Sequence, residues 1–161
     1  MNMPILLACG ETDSGSETHT ITGLSLTLYF DKRMLSKTGI FEAEAYEGTV
    51  TVDGTAYSLS AAVLNRASGA STFFFDFSGL SNSDWAKVAE GTTSTNTAIL
   101  QDLVSGGLSV DGQLDIPGNE TDSYGLIAAF AVSDDDWGTL LTDTEDAGYE
   151  YAMLTIYQPD E

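Results

Sequence analysis

The sequence predicts a mainly β protein: a β-sandwich or barrel of about seven to nine largely antiparallel strands, with two or three short helices at the rims. Three observations carry this prediction. Runs in which apolar and polar residues alternate recur along the chain, which is typical of strands with one buried face. Asp53-Gly54 stands between two such runs, and this dipeptide favours a tight hairpin turn because both turn residues need positive φ. Short stretches rich in Gly, Ser and Asn separate other runs, as expected of turns.

The length of 161 residues is typical of one domain. We expect an N-terminal arm over residues 1–18, made of a short strand and a polar linker, and a single β-rich domain over residues 19–161. Leu6-Leu7-Ala8-Cys9 is also similar to a bacterial lipobox. A basic segment is missing before it, and its apolar run is shorter than that of a signal peptide. We therefore favour the strand over a lipid anchor at Cys9.

The first half of the domain is organised around a hairpin. Residues 40–66 predict two strands joined at Asp53-Gly54, with Val52 opposite Thr55. One face of this hairpin would hold Val50, Val52, Thr55, Tyr57, Leu59, Ala61 and Val63. Residues 31–39 before it predict a loop or one helical turn. Residues 19–30 predict a strand whose inward side chains are Leu24, Leu26, Leu28 and Phe30.

Carried backward without a break, the hairpin register would bury Glu42 and Glu44. A β-bulge adds one residue to a strand and so exchanges its two faces. We therefore expect a bulge at Glu47-Gly48. It would return Phe41, Ala43 and Ala45 to the apolar face.

The second half of the chain mixes strand and helix signals. A Ser-x-x-Asp capping pattern occurs before Trp85 and again before Trp137, and predicts two short helices with buried tryptophans, capped by Ser81 and Ser133. Residues 96–105 are expected to be helical, because their apolar residues recur at helical spacing. Strands are expected over residues 71–78, over 108–116, over 124–132 with both faces covered, and over 149–158.

The charge is very one-sided: 25 acidic residues against 5 basic ones give a net charge of −20. This argues against nucleic-acid binding, which needs Lys and Arg on phosphates, and against anionic membranes. It favours solubility, with the acids as a solvated coat. No apolar run is long enough to span a membrane.

The residues for catalysis are scarce. His19 is the single histidine and Cys9 the single cysteine, and the sequence has no Gly-x-Ser-x-Gly elbow and no phosphate-binding glycine motif. We therefore expect no enzymatic activity. We also expect no cofactor, with calcium as the one alternative, because carboxylates cluster around the second predicted helix. The candidate calcium ligands are Asp134, Asp135, Asp136, Asp143, Glu145 and Asp146.

These observations favour a structural assembly subunit: a phage virion component (capsid decoration or tail protein) or an extracellular fibre unit. Its partners would be copies of itself or other structural proteins. The expected interface residues are aromatics that alternation places outside the core, namely Tyr29, Tyr46 and Phe74. The alternative is a secreted or lipid-anchored calcium- or carbohydrate-binding β-sandwich, such as a bacterial cell-surface lipoprotein. An exposed tryptophan would favour the carbohydrate form of that alternative.

Overall fold

The computed structural model describes residues 19–80, 97–115 and 125–159. These residues form mostly β-strands, which confirms the predicted fold class. The strands are β1 Ile21–Asp31, β2 Gly39–Glu42, β3 Ala45–Val52, β4 Thr55–Ala67, β5 Ala70–Phe77, β6 Thr97–Asp102, β7 Ser109–Asp115, β8 Leu126–Phe130 and β9 Tyr151–Tyr157. A 3₁₀ helix spans Lys32–Ser36, and one α-helix, α1, spans Asp134–Asp146.

Eight of the strands close into an antiparallel barrel. Their order around the barrel is β4-β3-β1-β9-β6-β7-β8-β5, and β5 pairs back with β4. The remaining strand, β2, pairs with the second half of β4. Of the two architectures that the sequence predicts, the structure therefore has the barrel.

Inward side chains fill the barrel as a packed core. In β1 the predicted residues Leu24, Leu26, Leu28 and Phe30 are all buried. Phe73 and Phe75 of β5 face the same core, and the ring of Phe73 meets those of Phe30 and Phe130 edge-on at 6.2 and 5.9 Å between centroids. Barrels of about eight strands have interiors that side chains can fill, so this one is no open channel.

The hairpin at Asp53-Gly54 is confirmed. Val52 lies opposite Thr55 and Val50 opposite Tyr57. Asp53 has φ of 51° and Gly54 has φ of 84°, the positive values that a tight hairpin turn of this kind needs.

The predicted bulge at Glu47-Gly48 is wrong. Tyr46 lies opposite Leu28 and Gly48 opposite Leu26, and the register shift that follows adds its extra residue to β1 and not to β3. Ala45 and Val50 therefore face opposite sides of the sheet. Gly48 is needed for another reason, because a Cβ there would lie 2.3 Å from the carbonyl oxygen of Ser25.

The extra residue lies in the other arm of the hairpin. Between Leu59 and Ala61, β4 advances two residues while β5 advances one. Beyond this shift Ala62 and Leu64 are buried in place of the predicted Ala61 and Val63. Phe41 still packs against the core, because β2 is a separate strand that places it opposite Leu64.

The prediction of a helix over residues 96–105 is also wrong. Residues Thr97–Asp102 form β6, in which Ala98, Leu100 and Asp102 face the interior. Pairing with β7 and β9 overrides the helical spacing of the apolar residues.

Residues 108–116 do contain one long strand, as predicted. In β8 the side chains of the inner face are buried, but Ala129 on the outer face is exposed. The prediction that both faces of this strand are covered is therefore wrong.

The helix predicted after Ser133 is confirmed as α1. The Ser133 hydroxyl accepts a hydrogen bond from the Asp136 N–H at 3.0 Å, and Trp137 is fully buried. The helix spans 13 residues to Asp146 and is longer than the short helix that the sequence predicts. The first predicted helix, with Ser81 and Trp85, lies outside the described residues.

The two ends of the barrel differ. At one end, α1 packs against the 3₁₀ helix and β9. We call this the helix end. The Asp53-Gly54 turn lies at the opposite hairpin end, where β4 begins. There His19 Nδ1 lies 2.6 Å from the carboxylate of Asp53.

Candidate functional site

The candidate calcium ligands are spread along α1. The helix has 13 residues, so Asp134 and Asp146 stand roughly 18 Å apart at a rise of about 1.5 Å per residue. In the described part of the chain, no three His, Cys, Asp or Glu side chains lie close enough together to hold a metal ion. The structure therefore does not bring the predicted set together, and calcium binding stays a prediction.

Two of these acids line a small cavity between α1 and the turn after β6. Asp136 and Asp143 share it with Asp102, and its volume of about 30 Å³ has room for one water. Asp102 is only 2% exposed. Its carboxylate accepts hydrogen bonds from the Val104 N–H at 2.8 Å and the Ser105 hydroxyl at 2.7 Å. Asp102 therefore serves to shape the turn.

A buried arginine ties the helix end together. Arg66 of β4 is 4% exposed and donates to the carbonyl oxygens of Lys37 at 2.8 Å and Leu35 at 3.2 Å. Its guanidinium stacks over Trp137, and Asp134 lies 3.5 Å from Nη2. Burial lowers the pKa of Arg66, and the charge of Asp134 opposes that shift.

A pocket of about 370 Å³ opens beside this arginine. Two of the guanidinium nitrogens are engaged by carbonyls, and the nearest charge is the Asp134 carboxylate. The pocket therefore does not offer an unpaired cation to an anionic ligand. The residues that line it are Leu35, Ser36, Thr38, Arg66, Asp134 and Gly138.

The outer surface formed by β1, β9 and β6 is almost free of charge. Cross-strand partners share a face, and the register places Tyr29 opposite Met153 and Gln101 opposite Thr155 on the outside of the barrel. We call this surface the β9 wall. Its outward side chains are Ser25, Thr27, Tyr29, Asp31, Thr97, Ile99, Gln101, Tyr151, Met153, Thr155 and Tyr157.

Asp31 is the one charged member of that set, and it lies at the rim. Arg33 donates two side-chain hydrogen bonds to the Asp31 carboxylate, the shorter at 2.6 Å. These bonds hold the pKa of Asp31 at about 2. The negative charge at this rim is therefore matched by a local positive charge.

Acidic side chains resume on the strands that flank the β9 wall. Glu47 faces outward on β3, and Asp111 and Asp115 face outward on β7. At the helix end the wall continues into exposed apolar residues: Leu103 is 48% and Tyr151 is 44% exposed. The wall is therefore a surface of mostly uncharged polar, aromatic and aliphatic side chains between two acidic strips.

The three predicted interface aromatics lie in different places. Tyr29 belongs to the β9 wall. Phe74 is half-buried on the opposite side of the barrel, in β5. Tyr46 lies opposite Leu28, on the side that continues the core, and its hydroxyl donates to the Ser60 carbonyl at 2.6 Å. Sequence reasoning missed Ile40, which is 71% exposed.

Trp137 is fully buried, so its indole offers no stacking surface for a sugar. None of the helices in the described residues has the length and apolar character needed to cross a membrane.

Comparisons of the chain with protein family models, with curated proteins and with solved structures gave no match.

Proposed function

We propose that this protein is a structural subunit that works by packing against other copies of itself, as a phage virion component or an extracellular fibre unit does. The observation that carries the proposal is the β9 wall: an extended outer surface whose one carboxylate, Asp31, is paired with Arg33, on a chain whose net charge is −20.

Electrostatics limits where such copies can meet. Two like charges about 4 Å apart repel by roughly 4 kcal/mol near a protein surface. Several facing carboxylates would therefore outweigh the gain from a contact of modest size. A surface that carries Tyr29, Tyr151 and Met153 avoids this cost, and Tyr and Met are enriched at protein interfaces.

The concentration dependence of assembly tests the proposal. We expect sedimentation velocity to show association as the protein concentration rises, and electron microscopy to show ordered particles. Met153→Asp places a carboxylate at the centre of the β9 wall. It should raise the concentration needed for association by roughly tenfold or more, because burying an unpaired carboxylate costs more than the ~1.4 kcal/mol of a tenfold change.

Ala56→Asp is the matched control. It adds the same charge at an exposed position of β4 that lies opposite Thr51, outside the β9 wall. This variant should associate like the parent protein, and both variants should keep the parent circular dichroism spectrum. A parent protein that stays monomeric at millimolar concentration, or equal effects of the two substitutions, would overturn the proposal.

A further inference from the structure

A second outer surface with little charge lies on β4, β5 and β8. Val63, Phe74 and Ile127 form one row across these three strands, and Asn65, Thr72 and Ala129 form the next. We call this surface the β5 wall. Its outward side chains are Ala61, Val63, Asn65, Thr72, Phe74, Asp76, Ile127 and Ala129, of which Asp76 alone is charged.

The two walls lie on opposite sides of the barrel. In the closed order of eight strands, β9 and β5 are four steps apart in both directions. The strands halfway between them are β3 on one side and β7 on the other. These carry the outward acids Glu47, Asp111 and Asp115. Around the barrel, two walls that carry one carboxylate each, Asp31 and Asp76, therefore alternate with two acidic strips.

β2 adds to the edge of β4 and extends two rows of the β5 wall. It places Ile40 opposite Asn65 and the exposed Glu42 opposite Val63, so the extension carries one apolar side chain and one carboxylate. Ile40 is 71% exposed. Ile40 therefore enlarges the apolar area of the wall, while Glu42 on one side and Asp115, opposite Ile127, on the other mark its borders.

The helix end is a poor contact surface by comparison. The candidate calcium ligands, six carboxylates, all lie on α1. Stacking copies along the barrel axis would bring this end against a chain of the same net charge. The sides of the barrel avoid that repulsion, since both walls lie there.

We infer that copies associate side by side, with the β9 wall of one copy packed against the β5 wall of the next. This inference rests on the proposed function and names the partner surface. Such a contact joins two different surfaces, so it repeats and generates either a closed ring or an open row. In either arrangement the acidic strips on β3 and β7 stay outside the contacts, and in a ring one strip lines the central opening.

Single-cysteine variants test which walls meet. In a Cys9→Ser background, Met153→Cys marks the β9 wall and Ala129→Cys marks the β5 wall. The two variants are mixed at an associating concentration and treated with a short bifunctional maleimide, with one variant isotope-labelled. Mass spectrometry then separates mixed dimers from dimers of either variant alone. Ala56→Cys, near the start of β4 and outside both walls, gives the background of random collisions.

We expect cross-linked dimers between positions 153 and 129 to exceed the Ala56→Cys background several-fold, and to exceed both same-position dimers. An excess of dimers linked through position 153 alone would mean that the β9 wall meets itself. That result overturns this inference and leaves the proposed function standing. Absence of any excess also overturns the inference. The proposed function is tested separately, by the concentration dependence of association and by Met153→Asp.

Discussion

The guanidinium of Arg66 lies over the indole of Trp137, with the central guanidinium carbon 5.4 Å from the ring centroid. This contact joins β4 to α1. The same guanidinium donates to the carbonyl oxygens of Leu35 and Lys37, around the end of the 3₁₀ helix. One buried side chain therefore holds three elements at the helix end. The stability of this end should depend on Arg66 far more than on any exposed arginine.

Arg66→Met keeps most of the alkyl chain and removes the donors. Because hydrogen bonds from a charged donor contribute about 1.5–3 kcal/mol each, we expect the free energy of unfolding in urea to fall by roughly 2–4 kcal/mol. Arg33→Met is the control: Arg33 is 79% exposed in its ion pair with Asp31. Its substitution should leave the free energy of unfolding nearly unchanged, because water screens an exposed ion pair. Equal losses for the two variants would contradict the role given to Arg66.

The local features of the fold could be predicted from the sequence. Asp53-Gly54 specifies its turn through the backbone conformations that these two residues tolerate, and Ser133 specifies the start of α1 through one hydrogen bond to Asp136. Both signals are complete within a few residues. Their outcomes therefore do not depend on which strands pair elsewhere in the chain.

Features that depend on distant pairing could not be predicted. The register shift beside Ser60 is defined by the pairing of β4 with β5, and β6 is a strand because β9, some fifty residues further on, lies beside it. The β9 wall has the same origin. Alternation identified Tyr29 as outward-facing, but only the topology puts Met153 next to it.

Asp76 should lower stability at neutral pH. Burial raises the pKa of its carboxyl above the ordinary value of 3.8, which means that the folded state favours the neutral form. Asp76→Asn keeps an oxygen to accept the hydrogen bond from the Gly125 N–H, observed at 3.2 Å. We expect this variant to be more stable than the parent at pH 7, by about 0.5 kcal/mol because the side chain is partly exposed.

The pH dependence of that difference gives the sharper test. The advantage of Asp76→Asn should be constant above the raised pKa of Asp76 and should shrink as the pH falls through it, because the parent carboxyl then becomes neutral. Urea denaturation at several pH values measures this. Asp111→Asn, at an exposed position of β7, removes one charge from the same net total. If it reproduces the profile, general charge repulsion and not burial explains the effect.

Gly112 permits the close approach of β7 and β8. A Cβ at this position would lie 2.3 Å from the Ala129 carbonyl oxygen and 2.3 Å from a ring carbon of Phe130. We expect Gly112→Ala to lower the free energy of unfolding by about 1–3 kcal/mol, because both the backbone and the ring must move.

In α1, a Cβ at Gly138 would meet no described atom within 4 Å. Gly138→Ala should therefore raise stability by about 0.5–1 kcal/mol through helix propensity. Thermal unfolding should show shifts of opposite sign.

Ser71 carries a buried hydroxyl without a hydrogen-bond partner among the described residues. It is 1% exposed and lies opposite Arg66 on β4 and opposite Phe130 on β8. A buried polar group that loses its bonds to water without replacement costs about 1–3 kcal/mol. Removing the hydroxyl removes that cost and deletes one buried heavy atom. Ser71→Ala should therefore leave the free energy of unfolding unchanged or raise it by up to about 1 kcal/mol.

Thr144 gives the contrasting case within the same protein. Its hydroxyl is equally buried but donates to the Leu140 carbonyl oxygen at 2.7 Å. Thr144→Val replaces this hydroxyl by a methyl group of similar size, so the bond is lost while the volume is kept. We expect a loss of about 0.5–1.5 kcal/mol, the net contribution of one hydrogen bond. A loss of that size at Ser71 as well would mean that an ordered water bonds its hydroxyl, and a crystal structure would then show that water beside Oγ.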